Sequence, residues 1–339
     1  MEAKKEAMLY EQAENNSVKC YLCEHHCKIQ EGKYGICRVR QNKDGKLYTS
    51  AYGKSIAANV DPIEKKPLYH FLPGSKAFSI ATMGCNFKCS FCQNWRISQV
   101  TDDKQTNLPG QKLSPKDIVR LARNKGSDSI AYTYTEPTIF FEYAYDIAEL
   151  ARKNDMKNIF VTNGYMTKSA IDTVTPYLDA ANVDLKSFRN DFYIKMCKGR
   201  LQPVLDSIQY MKESGIWVEV TTLVVPDQND SDEELNDIAE FIASVSKDIP
   251  WHVSRFHPDY EYTNATSTPI RTMEKAHKIG KKHGLKYIYL GNIATDNNTY
   301  CDNCNEIVIE RNAFGVNKVK LENSKCPSCK AKISGIWKK

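Results

Sequence analysis

From Lys76 to Leu290 the chain alternates short strand-like runs with helical patterns, and this rhythm limits the fold more than any other feature. Strand-like segments are expected at 76–82, 129–135, 158–162, 181–185, 217–225, 251–256 and 287–290. Helical patterns fall between them at 112–125, 138–154, 168–177, 191–214 with a break near Pro203, 231–246 and 268–283. Strands joined through helices run parallel with right-handed crossovers. The expectation is an α/β fold, and the alternation alone does not separate a β/α barrel from a doubly wound sheet.

The run 76–82 leads into Met83-Gly84-Cys85-Asn86-Phe87-Lys88-Cys89-Ser90-Phe91-Cys92. This loop would leave the C-terminal end of a strand, which is where barrel folds keep their active sites. Cys85, Cys89 and Cys92 are spaced by three and then two residues, and no fourth cysteine follows. A closed zinc site or an ordinary iron-sulfur cluster takes four protein ligands. Three thiolates therefore suit a [4Fe-4S] cluster with one iron open to another ligand, and zinc completed by a distant histidine is the plainer alternative.

The 339 residues suit one large α/β domain with small appendages. No apolar run reaches about 18 residues, so no membrane span is expected. Met1 to Asn16 lacks the apolar block of a signal peptide, and a cytoplasmic location follows. The same stretch is expected to form a short helix. The net charge of +6, from 47 basic and 41 acidic residues, gives no indication of nucleic acid.

Twelve cysteines carry more information. In a reducing compartment clusters of them bind metal. Cys20, Cys23, Cys27 and Cys37 form a self-sufficient knuckle, with zinc as the first choice and a second iron-sulfur cluster as the alternative. His25 and His26 beside them are expected to be surface residues or outer hydrogen-bonding groups. Cys301, Cys304, Cys326 and Cys329 form two CxxC pairs with the spacing of a zinc ribbon, and a rubredoxin-like iron site is the minor alternative. The ribbon is expected to be a staple closing the barrel's C-terminal side. Cys197 stands alone and is expected only to pack. The corresponding domains are 1–72 (knuckle and lead-in), 73–297 (barrel) and 298–339 (ribbon). In the lead-in, Lys65, Lys66 and His70 are candidate substrate contacts.

The CxxxCxxC motif with an aromatic before its last cysteine resembles the signature of the radical S-adenosylmethionine (radical SAM) enzymes. The chain is most similar to the pyruvate formate-lyase activating enzyme group. The knuckle, Tyr132-Thr133-Tyr134-Thr135-Glu136-Pro137-Thr138 and Trp251-His252-Val253-Ser254-Arg255-Phe256-His257-Pro258 resemble the radical SAM member of the AmmeMemoRadiSam system. The resemblance implies a partial (β/α) barrel, a [4Fe-4S] cluster on Cys85, Cys89 and Cys92, and reductive cleavage of S-adenosyl-L-methionine to a 5′-deoxyadenosyl radical that abstracts hydrogen. It implies that Phe91 packs by the adenine, that Glu136 accepts from the methionine ammonium and that Thr162 and Asn163 lie near the ribose and methionine. It also implies that Lys186 meets the carboxylate from the same strand face as Asp184, and that His257 contacts the adenosine. Arg255 is expected to point into the barrel. Three departures stand out: the family's paired glycines are Tyr134 and Thr135, its aspartate is Val161, and its arginine is Thr221.

The leading expectation is an oxidoreductase similar to glycyl-radical activases, served by a one-electron reductant such as flavodoxin or ferredoxin and acting on an unknown protein or small molecule. Radical modification of a metabolite or lipid is the second reading. A noncatalytic zinc-ribbon scaffold binding RNA or protein is the third.

Overall fold

The computed structural model describes residues 5–101 and 107–338. Its centre is an open eight-stranded sheet, labelled here β1 (Ala57–Pro62), β2 (Lys76–Ala81), β3 (Ser129–Tyr132), β4 (Lys157–Thr162), β5 (Ala180–Asp184), β6 (Trp217–Val224), β7 (Trp251–Arg255) and β8 (Ile288–Gly291). The strands lie in chain order across the sheet. From β2 onward every neighbouring pair is parallel, with Ser129 of β3 opposite Ala77 of β2 and Lys157 of β4. β1 is the exception, antiparallel to β2 from Ala57↔Ala81 to Pro62↔Lys76. Strands buried on both faces read as continuous apolar runs, and β3 (Ser-Ile-Ala-Tyr) is buried at every residue.

The crossovers are α1 (Pro115–Asn124), α2 (Phe141–Arg152), α3 (Lys168–Val174), α4 (Gln202–Glu213), α5 (Asp232–Val245) and α6 (Ile270–Lys282). Ser114 and Asp117 form a reciprocal capping box that starts α1, with Pro115 in its first turn. The break expected near Pro203 lies earlier. A wide helical turn over Tyr193–Cys197 ends at Lys198 with φ +61°, and Pro203 falls in the first turn of α4, where its missing N–H costs nothing.

Residues 5–16 are not helical. Tyr10–Gln12 pairs antiparallel with Val18–Cys20, and Asn15 and Asn16 take φ of 56° and 55° in the turn between them. Asparagine tolerates that conformation, so the segment closes as a hairpin. Residues 1–4 of the expected helix lie outside the described residues. The knuckle docks on the barrel through Thr167, whose Oγ1 donates to Tyr21 O at 2.8 Å, and through buried Arg40, which pairs with Glu142 of α2.

The C-terminal ribbon packs beneath the N-terminal ends of the strands, not on the side expected. Arg311 donates to Tyr69 O at 2.6 Å, Tyr289 of β8 bonds Thr299 at 2.7 Å, and Lys338 pairs with Asp128 just before β3 at 2.9 Å. A buried polar network joins the two. Glu219 of β6 accepts from the backbone N–H groups of Tyr69 and His70, from Trp217 Nε1 and from His252. Among the described residues, no helix is long and apolar enough to cross a membrane.

Candidate active site

The C-terminal ends of the strands surround a cavity of about 330 Å³, within the size range of small-molecule sites. Cys85, Cys89 and Cys92 all line it, beside Phe91, Thr162, Asn163, Asp184 and Lys186. The first four come from the loop after β2. Thr162 and Asp184 end β4 and β5, and Asn163 and Lys186 follow them closely. Parallel strands of similar length deliver their next residues to one rim, which is why motifs far apart in sequence converge here.

The cysteine loop is held from two sides. Its backbone pairs with the turn before α4 through Lys88 N to Cys197 O at 2.9 Å and Ser90 N to Met196 O at 3.0 Å. The sulfurs have their own donors: Phe87 N lies 3.3 Å from Cys85 Sγ, and Ser98 Oγ lies 3.3 Å from Cys92 Sγ. Cys197 is wholly buried next to Cys89. Its thiol, with the nearby Lys186 ammonium, holds the Cys89 thiol below its ordinary pKa against the effect of burial. Cys197 therefore touches a site residue as well as packing, which its isolation in sequence gave no means of detecting.

Lys186 Nζ lies 2.8 Å from Asp184 Oδ2, and its side chain is only 15% exposed. Burial pulls the Lys186 pKa down, but Asp184 and the neighbouring sulfurs of Cys89 and Cys197 outweigh it and leave it well raised. The cavity thus presents a fixed cation beside three sulfurs, an arrangement suited to an anionic group bound next to a metal cluster.

Glu136 is wholly buried and outside the lining. One carboxylate oxygen accepts from Thr138 N (3.0 Å), Thr138 Oγ1 (2.6 Å) and Thr162 Oγ1 (2.8 Å), and the other from Asn163 N (2.8 Å). It caps the short turn Pro137–Phe140 and ties the end of β3 to the end of β4. Burial raises its pKa, partly offset by those donors. Asn163 Nδ2 in turn donates to Asn86 Oδ1 at 2.7 Å, which fixes the residue after Cys85. Asn86 is a further positioning residue, and its place directly after the first cysteine was the available clue.

The absent glycine pair has a structural substitute. Tyr134 adopts φ +64°, a conformation that bulky residues rarely take. Its hydroxyl bonds Asp61, which also receives Lys66 Nζ at 2.7 Å and Ser79 Oγ at 2.8 Å. Burial raises the Asp61 pKa, but the bonds from Lys66, Tyr134 and Ser79 prevail and lower it to about 2. Gly164, at φ +70°, is required for a second reason: a Cβ there would sit 2.8 Å from Val183 Cγ1.

Lys65 and Lys66 line the cavity, whereas His70 lies at the opposite end of the barrel between Ser334 O and Tyr289 Oη. His257 is exposed at the rim, 3.1 Å from Gln93 Nε2, and does not line the cavity. Arg255 turns away and donates to Thr268 O at 2.8 Å.

Residues 79–242 match the family model described as the Radical SAM superfamily. The uncharacterized protein MJ0808 of Methanocaldococcus jannaschii is 44% identical over 334 residues, covering 97% of this chain and 98% of that protein. The putative glycyl-radical enzyme activating enzyme MJ1632 of the same organism is 26% identical, covering 65% of this chain and 80% of that protein. Among solved structures, Streptococcus suis SuiB bound to S-adenosylmethionine is similar in fold, with TM-score 0.52 and 15% identity over 68% of this chain and 53% of that chain. The matched segment runs from β2 into α5 and contains the three-cysteine loop, so this chain belongs to the radical SAM superfamily.

Proposed function

We propose that this radical SAM enzyme acts as a hydrogen-abstracting activase of the glycyl-radical type, on a protein or small-molecule substrate. The observation that carries the reading is the convergence of Cys85, Cys89 and Cys92 with Lys186 on one cavity at the strand ends. The distant relation to MJ1632 favours an activase-like partner.

The donor set fits a four-iron cluster. Three thiols face one space, two of them within 3.3 Å of a backbone N–H or a hydroxyl, so hydrogen bonds to sulfur are available to stabilise bound thiolates. Such a cluster with S-adenosylmethionine supplies one-electron cleavage of the sulfonium to a 5′-deoxyadenosyl radical, using a reductant of the flavodoxin or ferredoxin class. The chain's own part is binding, orientation and exclusion of water. Lys186 would meet the methionine carboxylate, with Asp184 holding the ammonium until the ligand arrives. Thr162 and Asn163 would line the ribose side, held in place by Glu136, and Phe91 would offer its ring to the adenine. His257 at the rim would close over the adenosine from outside. In this reading the ribbon carries zinc and secures the far end of the barrel.

The test is anaerobic reconstitution followed by incubation with reductant, S-adenosylmethionine and candidate glycyl-radical proteins. Formation of 5′-deoxyadenosine, with deuterium carried over from a labelled substrate, is expected. Cys89→Ala should abolish both cluster absorbance and cleavage. Cleavage that persists in this variant would overturn the reading.

A further inference from the structure

The knuckle cysteines take no part in the site above. The strand Val18–Cys20 and the turns after it bring Cys20, Cys23, Cys27 and Cys37 around one small cavity, closed by Leu22, Ile29 and Ile139. Arg40 Nη1 donates to Cys20 Sγ at 3.0 Å. Four sulfurs on one apolar cavity, one of them already met by a buried guanidinium, form a ligand set.

The spacing of the sulfurs indicates what the set would hold. In the ribbon, all four thiols lie within 4.8 Å of one another, with Cys301–Cys329 and Cys304–Cys326 each 3.6 Å apart. That matches a tetrahedron around a single ion, since zinc-sulfur bonds of about 2.3 Å set the sulfurs about 3.8 Å apart. Among the described residues, no other three cysteine, histidine or carboxylate ligand atoms come so close together. The knuckle thiols share a cavity yet stand wider than a single ion requires, as do Cys85, Cys89 and Cys92 on theirs. A core of several irons bridged by sulfide needs that wider frame.

We propose that Cys20, Cys23, Cys27 and Cys37 hold a second, fully ligated [4Fe-4S] cluster rather than zinc. The second cluster lies directly behind the first site. The His25 ring bonds Asn86 O at 2.8 Å, and a Cβ on Gly84 would lie 3.3 Å from Cys37 O and 2.8 Å from Val39 Cγ1. The cysteine loop of the barrel therefore rests on the backbone of the knuckle. Four thiolates close every iron of the second cluster, so it has no position for S-adenosylmethionine, and its presence does not depend on the substrate of the first.

The test uses the full-length chain with Cys85, Cys89 and Cys92 all replaced by alanine, reconstituted anaerobically with ferrous iron and sulfide. About four irons and about four sulfides per chain should remain, with about one zinc from the ribbon. Dithionite should then give the electron paramagnetic resonance signal of a reduced four-iron cluster. About two zincs and no sulfide would overturn the proposal, as would one iron without sulfide. A second variant, Cys23→Ser with Cys27→Ser in the otherwise intact chain, covers misfolding of the first. Its iron should fall from about eight to about four with zinc unchanged. A fall in zinc with iron constant at about four would refute the second cluster.

Discussion

Glu136 Oε2 accepts the backbone N–H of Asn163 at 2.8 Å, across 27 residues of sequence, and so couples the ends of β3 and β4 at the mouth of the cavity. Every partner of this carboxylate is a donor, two of them backbone N–H groups that cannot rotate. In Glu136→Gln an amide NH₂ must face one of those N–H groups. A buried donor left without an acceptor costs about 1–3 kcal/mol. The melting temperature should fall, and affinity for S-adenosylmethionine should fall with it as Asn163 shifts. Calorimetric titration beside thermal melts checks this, and an unchanged melting point would contradict the bracing role.

Lys186→Met removes the cation facing the three sulfurs. A charge-assisted hydrogen bond is worth about 1.5–3 kcal/mol, so S-adenosylmethionine binding should weaken by about 10- to 150-fold. The cluster should still assemble, because its three thiolates are untouched. Unchanged affinity with a lowered melting point would mean that Lys186 serves only Asp184.

Arg40 and Glu142 form a buried pair, each almost fully removed from solvent. Arg40 also donates to Met8 O at 2.7 Å, and Glu142 accepts from Met8 N at 2.7 Å. Arg40→Met leaves the carboxylate buried without its cation, which costs about 3–5 kcal/mol. Chemical denaturation should show that loss. The double variant Arg40→Met with Glu142→Met should recover much of it, since an apolar pair of similar volume leaves no stranded charge.

His70 gives the barrel-ribbon junction an acid sensitivity. Burial lowers its pKa to about 4, although Glu219 nearby and the bond to Ser334 raise it. The neutral ring donates from Nδ1 to Ser334 O and accepts at Nε2 from Tyr289, so protonation removes an acceptor. Between pH about 6.5 and 4 the unfolded chain binds the proton and the folded chain does not, so stability falls as pH falls, by about 3 kcal/mol across that window. Melting curves at pH 7, 5.5 and 4 should reveal the trend, and His70→Phe should flatten it.

Features set by neighbouring residues were determined by the sequence. The β/α rhythm, the capped start of α1, the open spacing of Cys85, Cys89 and Cys92 and the paired ribbon cysteines are each local patterns, whose geometry follows from backbone periodicity or from loops of a few residues. Tertiary packing decided the rest. The hairpin over residues 10–20 depends on pairing with Val18–Cys20, so helical propensity in 1–16 had no authority over it. The break before α4 lies at Lys198 because the turn there pairs with the cysteine loop more than 100 positions away. Cys197 met Cys89 for the same reason, and Glu136 acquired Thr162 and Asn163 because parallel strands bring their ends together. The ribbon's place beneath the strands rests on Arg311 and His70, whose partners Tyr69 and Ser334 lie 242 and 264 positions away in sequence. Long-range contacts carry no local periodicity, so only the folded chain could reveal them.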